Sequence, residues 1–320
     1  MRKGVLFTCW LLAAVFLFSP VFAGAEIILT EEEWIEIQEA LESDNKEIEV
    51  EQSYRIPVDP NDLTLTQGLS GEWLNIMLIG TDSDFNKLLS GGSSDLTIIA
   101  SVNIQTGEIK LTSLVRDMYV RIPGTNHSNR LNVTNAFGGP LLVMKTVNTE
   151  FGMNIRNYCS INFKGYTEVI DILGGVELSL SLAEAERVKA KYTTEPQILN
   201  GEQALAYSRI HTSLGNNFDA AERNKRVLMS IFQDLKSGSS IEQIFKTITV
   251  ALRYIDTNLT LMDLVSLAAA VFRNPDLDIQ TLSLPQEGTW QYSRTSWGLS
   301  VVDFNHDEAI AALYSFIYDQ

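Results

Sequence analysis

Three apolar, largely β-branched runs, at 75–80, 96–104 and 109–115, lie close together between polar breaks. Each has the length and composition of a buried strand. Gln105-Thr106-Gly107 is a short, glycine-containing break, so the second and third runs form a hairpin. If the longer break at 83–94 also turns the chain back, all three strands are antiparallel. A polar loop over 121–139 follows, and Pro140 suits the first position of a helix reaching about 151. The pattern then gives a strand at 155–163, a helix at 166–173 stopped by Gly174-Gly175, a strand at 176–180 and a helix at 182–191. Asn200, with Gln203 three residues on, caps a helix over 204–210. A long helix at 220–236 carries Val227, Leu228, Ile231, Phe232 and Leu235 on one face. Helices at 240–255 and 261–273, a strand at 277–284 and a closing helix at 308–318 complete the chain. Strands alternating with helices predict an α/β fold, a mixed sheet with helices packed on it.

Composition adds a boundary to this picture. Hydrophobic residues are 45% and charged residues 20%, which suits a chain with a real core. The formal charge of -16 argues against nucleic acid as a partner. The acid is concentrated: 26–62 holds 13 Asp and Glu against Lys46 and Arg55. That segment reads as a spacer, with Thr30 and Glu33 able to cap a short helix bearing Trp34 and Leu41. Pro57, Pro60 and the stretch 66–71 read as linker, so the folded domain is expected over 72–320. Residues 1–25 form a leader with basic Arg2-Lys3, an apolar run and Ala23-Gly24-Ala25. The apolar run is also long enough to span a bilayer, so the segment is a signal peptide or a membrane anchor. Either way the rest of the chain is expected outside the cytoplasm. Cys159 is then the one cysteine of the mature chain, and its apolar setting suits a buried structural thiol.

The antiparallel order puts chemistry at one sheet edge. Asp82 follows the first strand, Asp95 begins the second, and Arg116-Asp117 follows the third. Two carboxylates beside an arginine could hold a divalent cation against a phosphate. The same residues would also serve as ordinary turn residues and a solvated strand end. Arg116, Arg121, Arg130, Arg209 and Arg223 recur in the polar loops and helix ends of an acidic protein, which suggests a local anion site. The alternative is a set of separate surface ion pairs. The chain has no Gly-x-Ser-x-Gly elbow, no Walker loop, no Gly-x-Gly-x-x-Gly, and three histidines without metal-ligand spacing. One mature cysteine makes zinc a poor fit.

Seven short stretches carry a resemblance: 75–82 (NIMLIGTD), Ser94-Asp95, 114–117 (LVRD), 130–139 (RLNVTNAFGG), 169–176 (VIDILGGV), 199–209 (LNGEQALAYSR) and 223–228 (RNKRVL). In order and spacing they resemble the LytR–CpsA–Psr family of bacterial cell-envelope proteins. The resemblance implies an α/β/α sandwich with an apolar polyprenyl tunnel. It implies Mg²⁺-dependent transfer of a glycopolymer, such as teichoic acid or capsule, from a polyprenyl-pyrophosphate carrier onto peptidoglycan at the membrane surface. Asp82 and Asp95 would be the metal carboxylates. Arg116, Arg130 (usually Lys there) and Arg209 would clamp the pyrophosphate. Arg121, His211, Arg223 and Asn224, the last in place of the usual Gln, would complete the substrate site. Asp82 or Asp117 would accept the hydroxyl proton. Three positions depart from the pattern: Ser94 (after Ser93), His211 and Ala220 stand where arginines are usual. The departures allow a slow enzyme, a substrate of lower charge, or a non-catalytic binder of envelope lipid or glycan; a polyprenyl-pyrophosphate hydrolase is a separate alternative.

Overall fold

A computed structural model describes residues 55–81, 92–210, 217–238, 254–260, 263–264, 266–267, 270 and 279–319. Its strands are β1 (Trp73–Thr81), β2 (Ser94–Asn103), β3 (Ile109–Leu114), β4 (Tyr119–Arg121), β5 (Ser128–Arg130), β6 (Asn157–Asn162), β7 (Val176–Leu178), β8 (Gln197–Leu199), β9 (Ile255–Thr257), β10 (Ile279–Leu284), β11 (Trp290–Arg294) and β12 (Ser300–Phe304). The helices are α1 (Val133–Phe151), α2 (Phe163–Leu173), α3 (Leu182–Arg187), α4 (Gly201–Ser208), α5 (Asn217–Gly238) and α6 (His306–Tyr318).

Six strands form one mixed sheet in the order β10-β3-β2-β1-β6-β9. The β1–β2–β3 unit is antiparallel, as its breaks predict, while β6 joins β1 and β10 joins β3 in parallel. Side-chain alternation along the strands builds two cores. Met77, Ile79 and Ile99 pack under Val143, Val147 and Phe151 of α1 and Leu313 and Ile317 of α6. Ile98, Ala100, Val102, Ile109 and Leu111 face the other way, toward Leu228 of α5 and Leu267. The result is an α/β/α sandwich. Beside it, Ile170, Val176, Leu199, Ala204, Tyr207 and Val227 form a smaller core that ties α2, α4 and α5 together.

Three departures from the sequence pattern have physical reasons. The stretch 55–71, expected as linker, is a strap on the domain. Ile56 is 5% and Leu63 4% exposed, and the Leu63 carbonyl accepts from Asn148 Nδ2 at 2.8 Å. Isolated apolar residues among prolines have no period, so they signal no element. Helix α1 begins before Pro140, because Gly139 (φ 65°, ψ -163°) breaks it and Pro140 starts it again. The Phe137 carbonyl accepts the Ile56 N–H at 2.9 Å, beside that break. Hairpins β4–β5 and β11–β12 were hidden because strands of three and five residues offer too few alternating positions to show a period.

Candidate functional site

The sheet register decides which residues meet. Thr81 at the end of β1 is opposite Ser94 of β2 and Asn162 of β6, and Ile98 of β2 pairs with Ser113 of β3. Asp95 and Arg116 therefore project from neighbouring strands at one edge, and Arg116 Nη1 donates to Asp95 Oδ1 at 2.9 Å. Arg209 arrives from the C-terminus of α4. Its guanidinium lies 4.4 Å from the centroid of the Phe163 ring, and its Nε is 3.9 Å from Asp95 Oδ2. The approach of α4 to α2 needs Gly201, where a Cβ would fall 2.2 Å from the Thr167 carbonyl oxygen. A capping box between Asn200 and Gln203 starts α4, as the sequence predicts.

On the other side of Arg116, Asp117 Oδ1 is 3.7 Å from Arg116 Nε and 3.7 Å from Arg130 Nε. Arg130 Nε donates to the Ser300 carbonyl at 2.8 Å, and the Val302 N–H donates to the Asp117 carbonyl at 2.8 Å. The β11–β12 hairpin thus braces this end. The side chains form an alternating row, Arg209–Asp95–Arg116–Asp117–Arg130. Three guanidiniums and two carboxylates leave it one positive charge in excess.

Behind the row lies a cavity of about 50 Å³ between the strand ends, α2, α4 and α5. Leu96, Leu114, Val115, Ile161 and Leu205 give it apolar walls, while Ser113, Asn162 and Asn224 add polar ones. Its apolar walls lie behind the charged row, where the expected tunnel would open, as a cleft among the described residues.

The LytR_cpsA_psr family profile matches residues 27–309. The chain belongs to the LytR_cpsA_psr family. The polyisoprenyl-teichoic acid–peptidoglycan teichoic acid transferase TagU of Enterococcus faecalis is 33% identical over 198 residues, which is 62% of this chain and 65% of that protein. The matched stretch is thus just under two thirds of that relative's length. Among solved structures, protein gbs0355 of Streptococcus agalactiae superposes with a TM-score of 0.65 at 23% identity, covering 78% of this chain and 87% of that one. The family protein YwtF (TagT) of Bacillus subtilis, with bound octaprenyl pyrophosphate lipid, gives 0.60 at 21% identity, covering 81% and 92%. At these identities the two structures carry the fold.

Of the residues that the LytR_cpsA_psr pattern nominates, Asp95, Arg116, Asp117, Arg130 and Arg209 are brought together, and Asn224 lines the cleft. Asp82 and His211 lie outside the described residues, as does the side chain of Ala220. Two nominated arginines lie off the cleft's walls. Arg121 is exposed at the end of β4, where its N–H donates to Glu150 at 3.2 Å, away from the cleft. Arg223 is held by Glu184 at 3.1 Å and by the Ile210 carbonyl at 2.9 Å, and is not among the cleft's walls. Burial raises the Glu184 pKa, but hydrogen bonds from Ser181 and Arg223 outweigh it and hold the carboxyl below its usual range. Spacing cannot reveal that Arg223 already has an internal partner. Ser94 is fully buried, with its Oγ 3.2 Å from Thr97 Oγ1, so it adds no charge to the row.

Burial, with Asp256 adding to it, pushes the Cys159 thiol up to about 12, the direction of a structural thiol rather than a nucleophile. Sequence reasoning missed Phe163, Asn162 and Ser113. The available signal was an Asn between a strand and a helix, read instead as the strand's interior. Among the described residues no helix is long and apolar enough to cross a membrane, and residues 1–25 lie outside them.

Proposed function

We propose that the chain is an extracytoplasmic phosphotransferase of the cell envelope, moving a glycopolymer from a polyprenyl-pyrophosphate carrier onto peptidoglycan. The row of alternating charges at the mouth of an apolar cleft carries this reading. A diphosphate diester brings about two negative charges and a greasy tail. The row offers the guanidiniums, and the cleft offers the walls.

Attack by an acceptor hydroxyl forms a bond from its oxygen to the glycan-side phosphorus. The P–O bond to the bridging oxygen breaks, and the lipid monophosphate leaves with the electron pair. Arg116 and Arg209 stabilise the charge that moves onto the phosphate oxygens, as donors already placed at the mouth of the cleft. Asp117 or Asp82 takes the hydroxyl proton. Arg130, fixed by Ser300, keeps Asp117 in place beside Arg116.

Mg²⁺ fits the donor chemistry. Asp95 offers hard carboxylate oxygen at the mouth, shared with Arg116, and Asp82 would be the second ligand. The row's single excess positive charge falls short of the two negative charges of a diphosphate, so a divalent ion would answer a deficit that these residues leave. When bound, it would supply Lewis-acid neutralisation of the phosphate oxygens.

Buried Ser94 supports a slower enzyme than a member with a cation there. Incubating the full chain with Mg²⁺, a polyprenyl-pyrophosphate glycan and peptidoglycan tests the reading. Transfer should occur and should fall at least about a hundredfold in Arg116→Ala, which leaves Asp95 without its closest cation. No transfer above that variant removes the enzyme and leaves a binder. Release of monophosphate without an acceptor would make it a hydrolase.

A further inference from the structure

We propose that Asn162 is a substrate-binding residue whose Nδ2 donates a hydrogen bond into the cleft, to a phosphate oxygen of the polyprenyl pyrophosphate. This rests on the reading above that the cleft takes such a lipid.

The geometry starts from the cap. Asn162 ends β6 and is the N-cap of α2, where its Oδ1 accepts the Gly165 N–H at 2.7 Å. That bond fixes which end of the amide is oxygen, because a backbone N–H needs an acceptor. Nδ2 must therefore lie on the other side of the amide, and Asn162 is a wall of the cleft that holds Arg116 and Arg209. The residue is 1% exposed, and its Nδ2 has no hydrogen-bond partner among the described residues. From β3, Ser113 is also 1% exposed and lines the same cleft, and its Oγ has no partner there either.

A buried amide donor without an acceptor is costly, because it has lost its water and gained nothing. A prenyl chain alone would leave both groups in that condition, so the occupant of this corner has polar atoms. The surroundings select an anion. The cleft's charged walls are the Arg116 and Arg209 guanidiniums and the Asp95 carboxylate, a net positive charge, and α2 is an 11-residue helix that starts at the same place. The orphaned amide adds a donor of defined direction, which guanidiniums on long stems do not supply.

Asn162→Asp separates the two faces of the amide. One carboxylate oxygen still caps Gly165, while the other replaces a donor with a negative charge. Binding of octaprenyl pyrophosphate to the full chain should weaken about ten- to a hundredfold, the value of a hydrogen bond to a charged group. Asn162→Ser keeps the cap, replaces the amide donor with a hydroxyl too short to reach as far, adds no charge, and should weaken binding about tenfold; it decides the matter if the Asp variant does not fold. Binding of octaprenol, which has no phosphate, should be the same in all three proteins. Unchanged binding of the pyrophosphate lipid in the Ser variant, with wild-type binding intact, means that only water meets Nδ2; the inference then falls and the transferase reading stands. Failure of the wild type to bind the lipid overturns both.

Discussion

At the end of the sheet away from the cleft, Asn75 on β1 is buried and every hydrogen-bonding atom of its amide is engaged. Nδ2 donates to Asn154 Oδ1 at 2.9 Å and to the Tyr318 hydroxyl at 2.8 Å, and Oδ1 accepts from Ser101 at 2.6 Å. Lys110, only 3% exposed, lies over the Trp73 ring at 4.7 Å and reaches the Ile317 carbonyl at 3.5 Å. At the cleft end of the same strands, Ser113 and Asn162 are as deeply buried and have orphaned atoms. Both ends belong to one sheet with one set of cores, so packing does not explain the contrast. One end closes its polar groups on the protein and holds α6 in place. The other leaves donors open where the guanidinium row stands, which is what a site must do if its last partners come from a ligand.

The largest test of this contrast removes the closed end. Asn75→Ala strands the Ser101 hydroxyl, the Asn154 amide oxygen and the Tyr318 hydroxyl together. Unfolding by urea should show a loss of about 3 kcal/mol, and the melting temperature should fall by about 5–10 °C. Affinity for octaprenyl pyrophosphate should remain that of the wild type.

Ser113→Ala should do the reverse. Among the described residues its hydroxyl has no partner to lose, so removing it should relieve a desolvation cost. The same urea titration should show stability unchanged or raised by up to about 1 kcal/mol, with lipid binding weakened about tenfold. A drop in stability like that of Asn75→Ala would mean that Ser113 has a structural partner after all, and the comparison would fail.

The closed end and the open end differ in how far they could be read from the chain. Strands β1, β2 and β3 announce themselves by apolar runs, and their antiparallel order alone puts Asp95 beside Arg116. Arg209 is legible as the residue that ends a capped helix. What sequence cannot carry is partnership across long separations. Arg223 has the right spacing for the site and is engaged by Glu184 from 39 residues away. Asn75 and Tyr318 are 243 residues apart. The strap at 55–71 and the β11–β12 hairpin have too few periodic positions to show as elements, yet Ser300 of that hairpin fixes Arg130.

A smaller effect sharpens the rule at the sheet's outer edge, where β6 meets β9. There the Tyr158 hydroxyl donates to Asp256 at 3.2 Å, so the carboxylate is partnered. Burial nevertheless raises the Asp256 pKa, and the Tyr158 hydrogen bond offsets only part of it. A carboxyl whose pKa is higher in the folded protein gives most stability below its unfolded value, 3.8, and loses it as pH rises through the folded value. Asp256→Asn can still accept from Tyr158 but never ionises. Its stability relative to the wild type should therefore increase between about pH 3 and pH 7. The gain should be only a few tenths of a kcal/mol, because the carboxyl is partly open to solvent. Urea unfolding of both proteins across that range is the measurement. A difference that stays flat with pH would mean that the hydrogen bond fully compensates the burial, and then having a partner would by itself be enough to make a polar group at this sheet comfortable.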